Sequence, residues 1–185
     1  MSIRRGKLIF AVVAVLLALP VSGGAAEARD LSLEYAVKAA YLPKFAHYIE
    51  WPVAAFETPQ SDIILCIAGP DPFGGAVDTA MQGQQVGGRN IVVRHLATVG
   101  RDSGCRILFV GGNDARKIGQ SLDAVRGANV LTVTEAEAGQ TPSVIRFVID
   151  DNHVRFTIDA QAAAENGISV SSKLLSLAMS VTPKR

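Results

Sequence analysis

The residues that could carry catalytic or metal-binding chemistry are scattered along this sequence. His47, His95 and His153 are far apart, and none has a second histidine at the spacing by which a helix or hairpin holds zinc. Ser171 and Lys173 do not have the spacing of an S-x-x-K motif, and no G-x-S-x-G motif is present. A metal site would require the fold to bring the histidines together. We expect no metal site and no enzyme activity.

The glycine-rich segments lack the partners that nucleotide binding requires. Residues 69–75 carry glycines at the spacing of a phosphate loop, but the Lys-Ser/Thr pair of that motif does not follow them. Two prolines in the segment have no N–H group to offer a phosphate. Gly111, Gly112 and Gly119 do not form a dinucleotide fingerprint. We therefore interpret 69–75 as a turn between a strand and a helix, and expect no cofactor.

Cys66 and Cys105 are the two cysteines of the chain. In an oxidising compartment, an even number of cysteines favours a disulfide. Closing a loop of this length would stabilise the fold by about 4 kcal/mol in the chain-entropy model. The alternative is a pair of buried free thiols, which behave as small apolar groups. A redox-active pair is less favoured, because the spacing is unlike C-x-x-C.

The N-terminus has the features of a secretory signal peptide. Three cations precede an uncharged apolar run at residues 8–19, a proline ends the run, and small residues allow cleavage after Ala26 or Ala28. A membrane anchor is the alternative, but the run is shorter than the roughly 20 residues that span a bilayer. We therefore predict that residues 1–26 are a signal peptide and that the mature chain is exported to the periplasm.

Removing the signal peptide changes the charge balance of the chain. Residues 1–26 contain three cations and no carboxylate side chain, so their removal lowers the formal net charge by three, from +1 to about −2. Such a chain has no basic footprint for nucleic acid and no basic run for an anionic lipid surface. The remaining segment of about 158 residues fits one domain with an ordinary core. We therefore expect a single domain and no nucleic-acid partner.

Hydrophobic patterning predicts alternating helices and strands. The stripe over 33–49 predicts a long helix with Ser32 as N-cap, and Pro43 should kink or split it. Further strands are predicted at 63–68, 91–94, 107–110 and 130–133, helices at 72–81, 114–125, 160–166 and 172–179, and a hairpin from 144–149 and 154–158. The predicted fold is α/β: a mixed, mostly parallel sheet flanked by helices in Rossmann-like layers, with a C-terminal antiparallel hairpin.

The predicted strands create a geometric difficulty for the disulfide. Cys66 lies late in one strand and Cys105 just before another. In parallel strands paired in register, several residues of about 3.3 Å each would separate them, whereas a disulfide requires Cα atoms within about 7 Å. Either the strands are staggered or Cys105 reaches across on a loop.

An ordered set of sequence phrases resembles the YfiR-like family of periplasmic regulatory proteins (YfiR/HmsC-like). The phrases extend over essentially all of the predicted mature chain, which we assign as one YfiR-like domain at 31–181. They are residues 34–42 with Phe45, 49–52, 69–74, 104–110, 130–133, 154–156 with Ile158, and 171–175. Two positions depart from the pattern of the family that the chain resembles. Pro43 lies in the first helix at a position where that family more freely places polar residues, and Asp159 lies where an asparagine is common.

The resemblance implies a function that the residues alone do not give. A chain that resembles this family is expected to repress an inner-membrane diguanylate cyclase through the periplasmic domain of that enzyme, which is the characterised behaviour in the family. Release of the repressor raises cyclic di-GMP and promotes biofilm formation. The matching Cys66–Cys105 pair would be a structural bond that keeps the repressor competent. The implied partner is therefore the periplasmic domain of a diguanylate cyclase, and a homodimer stays open.

The partner-binding surface has two candidates in the sequence. One is an aromatic helix end, for which core packing is the alternative; the other is a loop rich in Gln and Gly, which could be only a mobile connection. The candidate residues are Tyr41, Tyr48 and Trp51 on the first, and Gln84, Gln85 and Arg89 on the second. An alternative function is a small-molecule sensor, with a pocket near Gly69 and Gly111 at the carboxyl ends of the parallel strands.

Overall fold

A computed structural model of the chain describes residues 24–136 and 141–185. The predicted signal peptide falls mostly outside these ranges. The helices of the described residues are α1 Gly24–Ala46, α2 Ala76–Met81, α3 Ala115–Ala124, α4 Ala160–Glu165 and α5 Ser172–Leu175, with short 3-10 turns at Val53–Ala55 and Arg101–Ser103. The strands are β1 Ile49–Glu50, β2 Ile63–Ala68, β3 Gln85–Val86, β4 Arg89–Leu96, β5 Ile107–Val110, β6 Leu131–Thr134, β7 Ile145–Asp150, β8 His153–Asp159, β9 Ser169–Val170 and β10 Ser180–Thr182.

One mixed sheet of eight strands organises the fold, in the order β10-β8-β7-β6-β5-β2-β4-β3. The five strands from β7 to β4 pair in parallel, whereas β7 and β8 form an antiparallel hairpin. Strand β10 runs parallel to β8, and β3 runs antiparallel to β4. A separate antiparallel pair joins β1 to β9. The predicted α/β fold, mostly parallel and with a C-terminal hairpin, is confirmed.

The central strand β2 is buried on both faces, which explains its uninterrupted apolar sequence. Leu65 and Ile67 belong to the larger of two hydrophobic clusters, to which α1, α2 and α4 contribute. Cys66 and Ala68 alternate with them and belong to a second cluster, which includes Leu122 of α3. Because side chains alternate across a strand, one helical layer covers each face of the sheet.

Helix α1 differs from its prediction at both ends. It begins at Gly24 rather than after Ser32, so Ser32 lies inside the helix and the N-cap prediction is wrong. Residues 25–29, Ala-Ala-Glu-Ala-Arg, have high helix propensity and extend the helix towards its N-terminus. Pro43 lies within the helix, which is not split there. Beyond Ala46 the chain turns, and Ile49 enters strand β1 instead of extending the helix.

The remaining differences concern short elements that need a partner to form. Helix α2 begins at Ala76 rather than at residue 72, because the Asp71 carboxylate accepts a hydrogen bond from the Phe73 N–H and holds a turn there. Helix α5 ends at Leu175, so the second half of the predicted helix 172–179 is not helical. The chain then continues into β10, which pairs with β8. Strands of two or three residues carry too little periodicity to be predicted from sequence.

Candidate functional site

A cleft of about 600 Å³ opens at the carboxyl ends of β2 and β5, on the α3 side of the sheet. Gly69 and Gly111 line the cleft and approach each other closely: Gly69 has a φ of +78°, and a Cβ on it would lie 2.8 Å from the Gly111 carbonyl oxygen. Thr98, Asn113 and Lys117 supply polar groups to the lining. The cleft lies where the sequence placed the pocket of a small-molecule sensor.

The N-terminus of α3 beside this cleft already has an anionic cap. The Asp114 carboxylate accepts hydrogen bonds of 3.1 Å from the backbone N–H groups of Arg116 and Lys117. The Lys117 N–H is the main cause of a lowered pKa for this carboxyl group. Because the cap uses two of the free amides of the helix, a phosphate is not expected to bind there.

The histidines are not brought together. His95 on β4 lies 3.0 Å from an Asp71 carboxylate oxygen through its Nε2, and His153 Nδ1 lies 2.6 Å from the Asp151 carbonyl oxygen. His47 lies in the exposed turn after α1. Within the described ranges, no group of three or more His, Cys, Asp or Glu side chains could hold a metal ion.

The Cys66–Cys105 pair forms a disulfide beneath α3, with Cα atoms 5.7 Å apart. Strand register does not bring the two residues together, because Cys66 pairs with Leu108, three residues after Cys105. The chain instead bends at Arg106, between the 3-10 turn and β5, and carries Cys105 over the sheet. Of the two geometries open from sequence, Cys105 reaches across on a loop. Both cysteines are buried among apolar side chains.

A buried lysine is the main polar feature that sequence reasoning missed. Lys38 of α1 is 3% exposed and its ammonium group lies 2.7 Å from a Glu135 carboxylate oxygen, with Glu34 as its second ion-pair partner. Tyr35 donates a 3.2 Å hydrogen bond to Glu135. Lys38 and Glu135 are 97 residues apart in sequence. No sequence pattern pairs residues at that separation, so only the fold reveals this cluster.

The cluster shifts the pKa of two of its members. Burial alone would lower the pKa of Lys38, but the hydrogen bonds and charges of Glu135 and Glu34 outweigh burial and raise it. Burial is the main cause of a raised pKa for the Tyr35 hydroxyl, and the Glu135 carboxylate adds to it. Both shifts favour the protonated forms. The arrangement therefore holds α1 on the sheet and is a structural clamp.

The predicted aromatic contacts pack partly into the core. Tyr41 stacks on Phe45, with ring centroids 5.5 Å apart, and also contacts the rings of Phe147 and Phe156. Tyr48 and Trp51 are likewise half-buried against the larger cluster. Partner binding at these residues stays a prediction.

The second predicted contact region is a β-hairpin. Strands β3 and β4 meet at Gly87 and Gly88, which have φ values of +58° and +80°, as the tight turn requires. Gln84 and Gln85 are exposed. Arg89 is engaged within the chain: it donates hydrogen bonds to the Thr58 and Ser61 carbonyls, and its guanidinium lies 3.8 Å from the Phe56 ring centroid. Partner binding at this hairpin also stays a prediction.

Comparison with known proteins identifies the family of the chain. The sequence profile of the YfiR/HmsC-like family matches residues 35–179, from the middle of α1 to the residue before β10. No curated protein matches the chain. Among the described residues, none of the helices combines the length and hydrophobicity that a bilayer span requires. Because the match extends over well more than half of the sequence, the chain belongs to the YfiR/HmsC-like family.

Proposed function

We propose that this protein is a periplasmic regulator that represses an inner-membrane diguanylate cyclase by binding its periplasmic domain. Cyclic di-GMP and biofilm formation would rise when the repressor is released. The observation that carries the proposal is the family match over residues 35–179, which extends across the whole sheet up to β10. Function by contact, without catalysis, is part of the proposal.

The disulfide supports the proposed compartment. Disulfides persist in oxidising compartments such as the periplasm and are rare in the cytosol, where thiols are kept reduced. The Cys66–Cys105 bond is buried, and it crosses between β2 and the segment leading into β5. A chain whose core contains such a bond is expected to fold after export, as the predicted signal peptide at residues 1–26 also implies.

Two polar clusters among the described residues have structural roles, which agrees with the proposed function by contact. Lys38 and its two carboxylates hold α1 on the sheet. Arg126 joins α3 to α4 through ion pairs with Asp123 and Glu165. In both clusters the charged groups form ion pairs with one another. Catalytic groups would instead converge on one position where a substrate could react.

Deletion of the gene in its host tests the proposal. We expect cellular cyclic di-GMP and biofilm mass to rise, and the full-length gene to restore both. Capture of the tagged protein from detergent-solubilised envelope should then recover an inner-membrane protein with a cyclase domain. Unchanged cyclic di-GMP after deletion would contradict the proposal, and recovery of a different membrane protein would remove the cyclase from it.

The cleft near Gly69 and Gly111 favours one second candidate, a small-molecule sensor. Its volume of about 600 Å³ is within the range of small-ligand sites. A ligand that binds only the folded state raises the melting temperature. A pool of periplasmic metabolites below about 1 kDa should then raise the melting temperature of the wild type but not of Ser121→Trp, which fills the cleft. An equal response of both proteins would exclude this site.

A further inference from the structure

Large apolar side chains are exposed along one edge of the sheet. Leu177, Met179 and Val181 lie within five residues and are 62%, 56% and 37% exposed. We call Leu177, Met179 and strand β10 the β10 edge. Exposed apolar residues that form one patch mark interaction sites on soluble proteins.

The β10 edge is continuous with the hydrophobic core. Strand register pairs Val181 with Ile158, and the Met179 N–H donates to the Phe156 carbonyl, so Met179 and Val181 lie on the sheet face of those two buried residues. Tyr41 of α1 packs on the same face, with its ring centroid 5.9 Å from that of Phe156. A segment that bound along β10 would therefore extend the core outwards.

The backbone of β10 is open on its outer side. The strand pairs with β8, and no other described strand pairs with it. Its free N–H and C=O groups can accept a further strand, as in β-augmentation. The opposite edge of the sheet differs, because β3 has only two residues, and the exposed Gln84 and Gln85 at this edge are polar. Beyond β3, strand β4 also has an open side, but its exposed Val92 stands beside the exposed, charged Arg94, so among the described residues the β10 edge carries the larger exposed apolar side chains.

The charge of the C-terminal segment indicates what would bind there. Residues 166–185 include Lys173, Lys184 and Arg185 and contain no Asp or Glu. The carboxylate nearest along the strand pair, that of Asp159, is engaged as the N-cap of α4. An occupant with carboxylates beside its apolar residues would be attracted to this edge and oriented on it.

We propose that the β10 edge binds an extended segment of the partner's periplasmic domain as an additional strand. The segment is apolar on alternate residues, facing Met179 and Val181, and carries carboxylates opposite the C-terminal cations. This inference rests on the proposed function, because the partner is the diguanylate cyclase. It places the contact at the opposite end of the sheet from Gln84, Gln85 and Arg89.

A second copy of this chain fits the β10 edge less well. Pairing of two β10 strands about a twofold axis brings the same surface from each copy together. Such a pairing is antiparallel, so Lys184 and Arg185 of each copy would lie beside the start of the other copy's β10, where residues 176–180 include no Asp or Glu. Pairing of two copies therefore leaves these cations without an Asp or Glu side chain opposite them.

Site-specific photo-crosslinking of the exported protein in its host tests the proposal. The probe is p-benzoylphenylalanine at position 179 or 181, and matched controls carry it at Gln85 or at Val53, which is 91% exposed in the 3-10 turn that precedes β2. We expect adducts with the cyclase from positions 179 and 181 to exceed those from the controls by about tenfold. Mass spectrometry of the adduct identifies the protein captured.

Each other outcome overturns the inference and separates it from the proposed function. Cyclase adducts mainly from Gln85 or Val53 would overturn the β10 edge and leave the regulator function intact. Adducts between two copies from position 179 would assign the edge to a homodimer. Absence of cyclase adducts at every position, together with unchanged cyclic di-GMP in the deletion strain, would overturn both.

Charge reversal tests the acidic character of the occupant. The paired changes Lys184→Glu and Arg185→Glu lie beyond β10 and leave its backbone in place. They should reduce the adduct yield at position 179 by about threefold or more, whereas Lys117→Glu beside the cleft should not. A yield unaffected by the paired changes would overturn the assignment of a carboxylate-bearing segment.

Discussion

Lys38 is the residue whose replacement should cost most among the charged side chains. Lys38→Met leaves Glu34 and Glu135 without their buried cation, so the free energy of unfolding should fall by about 2–3 kcal/mol. The control is Lys44→Met, an exposed position on the same helix, with an expected change below about 0.5 kcal/mol. Urea unfolding measures both, and equal stabilities would show that the ion pairs do not hold α1.

The same cluster predicts a pH dependence. The pKa of Lys38 is raised above that of an unfolded lysine, so its stabilisation is complete below about pH 10.4 and is lost as pH rises through the folded-state pKa. The raised pKa of Tyr35 acts in the same direction. The free energy of unfolding should therefore fall as pH rises above about 10, and less in Lys38→Met. An equal fall in both proteins would assign the effect to other groups.

Gly111 should not tolerate a side chain. A Cβ there would lie 2.0 Å from the Pro70 carbonyl oxygen, so Gly111→Ala must displace backbone and should destabilise by about 3 kcal/mol. The control is Gly75→Ala, where no atom lies within 4 Å of the new Cβ and φ is −74°. Thermal unfolding should separate the two variants, and a stable Gly111→Ala would mean that this turn relaxes freely.

At the scale of elements, helix α4 depends on its N-cap. The Asp159 carboxylate accepts a 2.7 Å hydrogen bond from the Ala162 N–H, and the side-chain oxygen of an asparagine can accept the same bond. Asp159→Ala should lose about 1 kcal/mol of stability, whereas Asp159→Asn should lose little. Urea unfolding measures the free energy of unfolding of both variants. A loss of stability in Asp159→Asn as large as that in Asp159→Ala would show that the charge of Asp159, and not its capping hydrogen bond, stabilises α4.

The elements whose bounds the sequence predicted well have hydrophobic patterns that are recognisable without knowledge of their neighbours in the fold. Strand β2 is apolar throughout because both its faces are buried, and its predicted bounds match the structure. The strands that were missed, such as β3 and β10, have two or three residues and form only beside a partner strand. The bend that brings Cys105 over the sheet depends on the path of the chain after the 3-10 turn, which local sequence does not encode.

At the scale of the whole molecule, the disulfide should decide overall stability. The Cys66→Ser, Cys105→Ser double variant loses the closure of a loop of 39 residues, which the chain-entropy model values at about 4 kcal/mol. Urea unfolding of the oxidised wild type and the variant measures the difference. Full stability and full repression by the variant would contradict a structural role for the bond.

The same bond changes what a single backbone cut does to the molecule. Residues 67–104 form a covalently closed ring that contains α2 and the exposed β3–β4 hairpin, whereas α1 and the β10 edge lie outside it. A protease that cleaves the hairpin in the cell envelope would produce two peptides that remain joined through sulfur. The nicked protein would keep α1 and β10 in one molecule and would separate into fragments only after reduction.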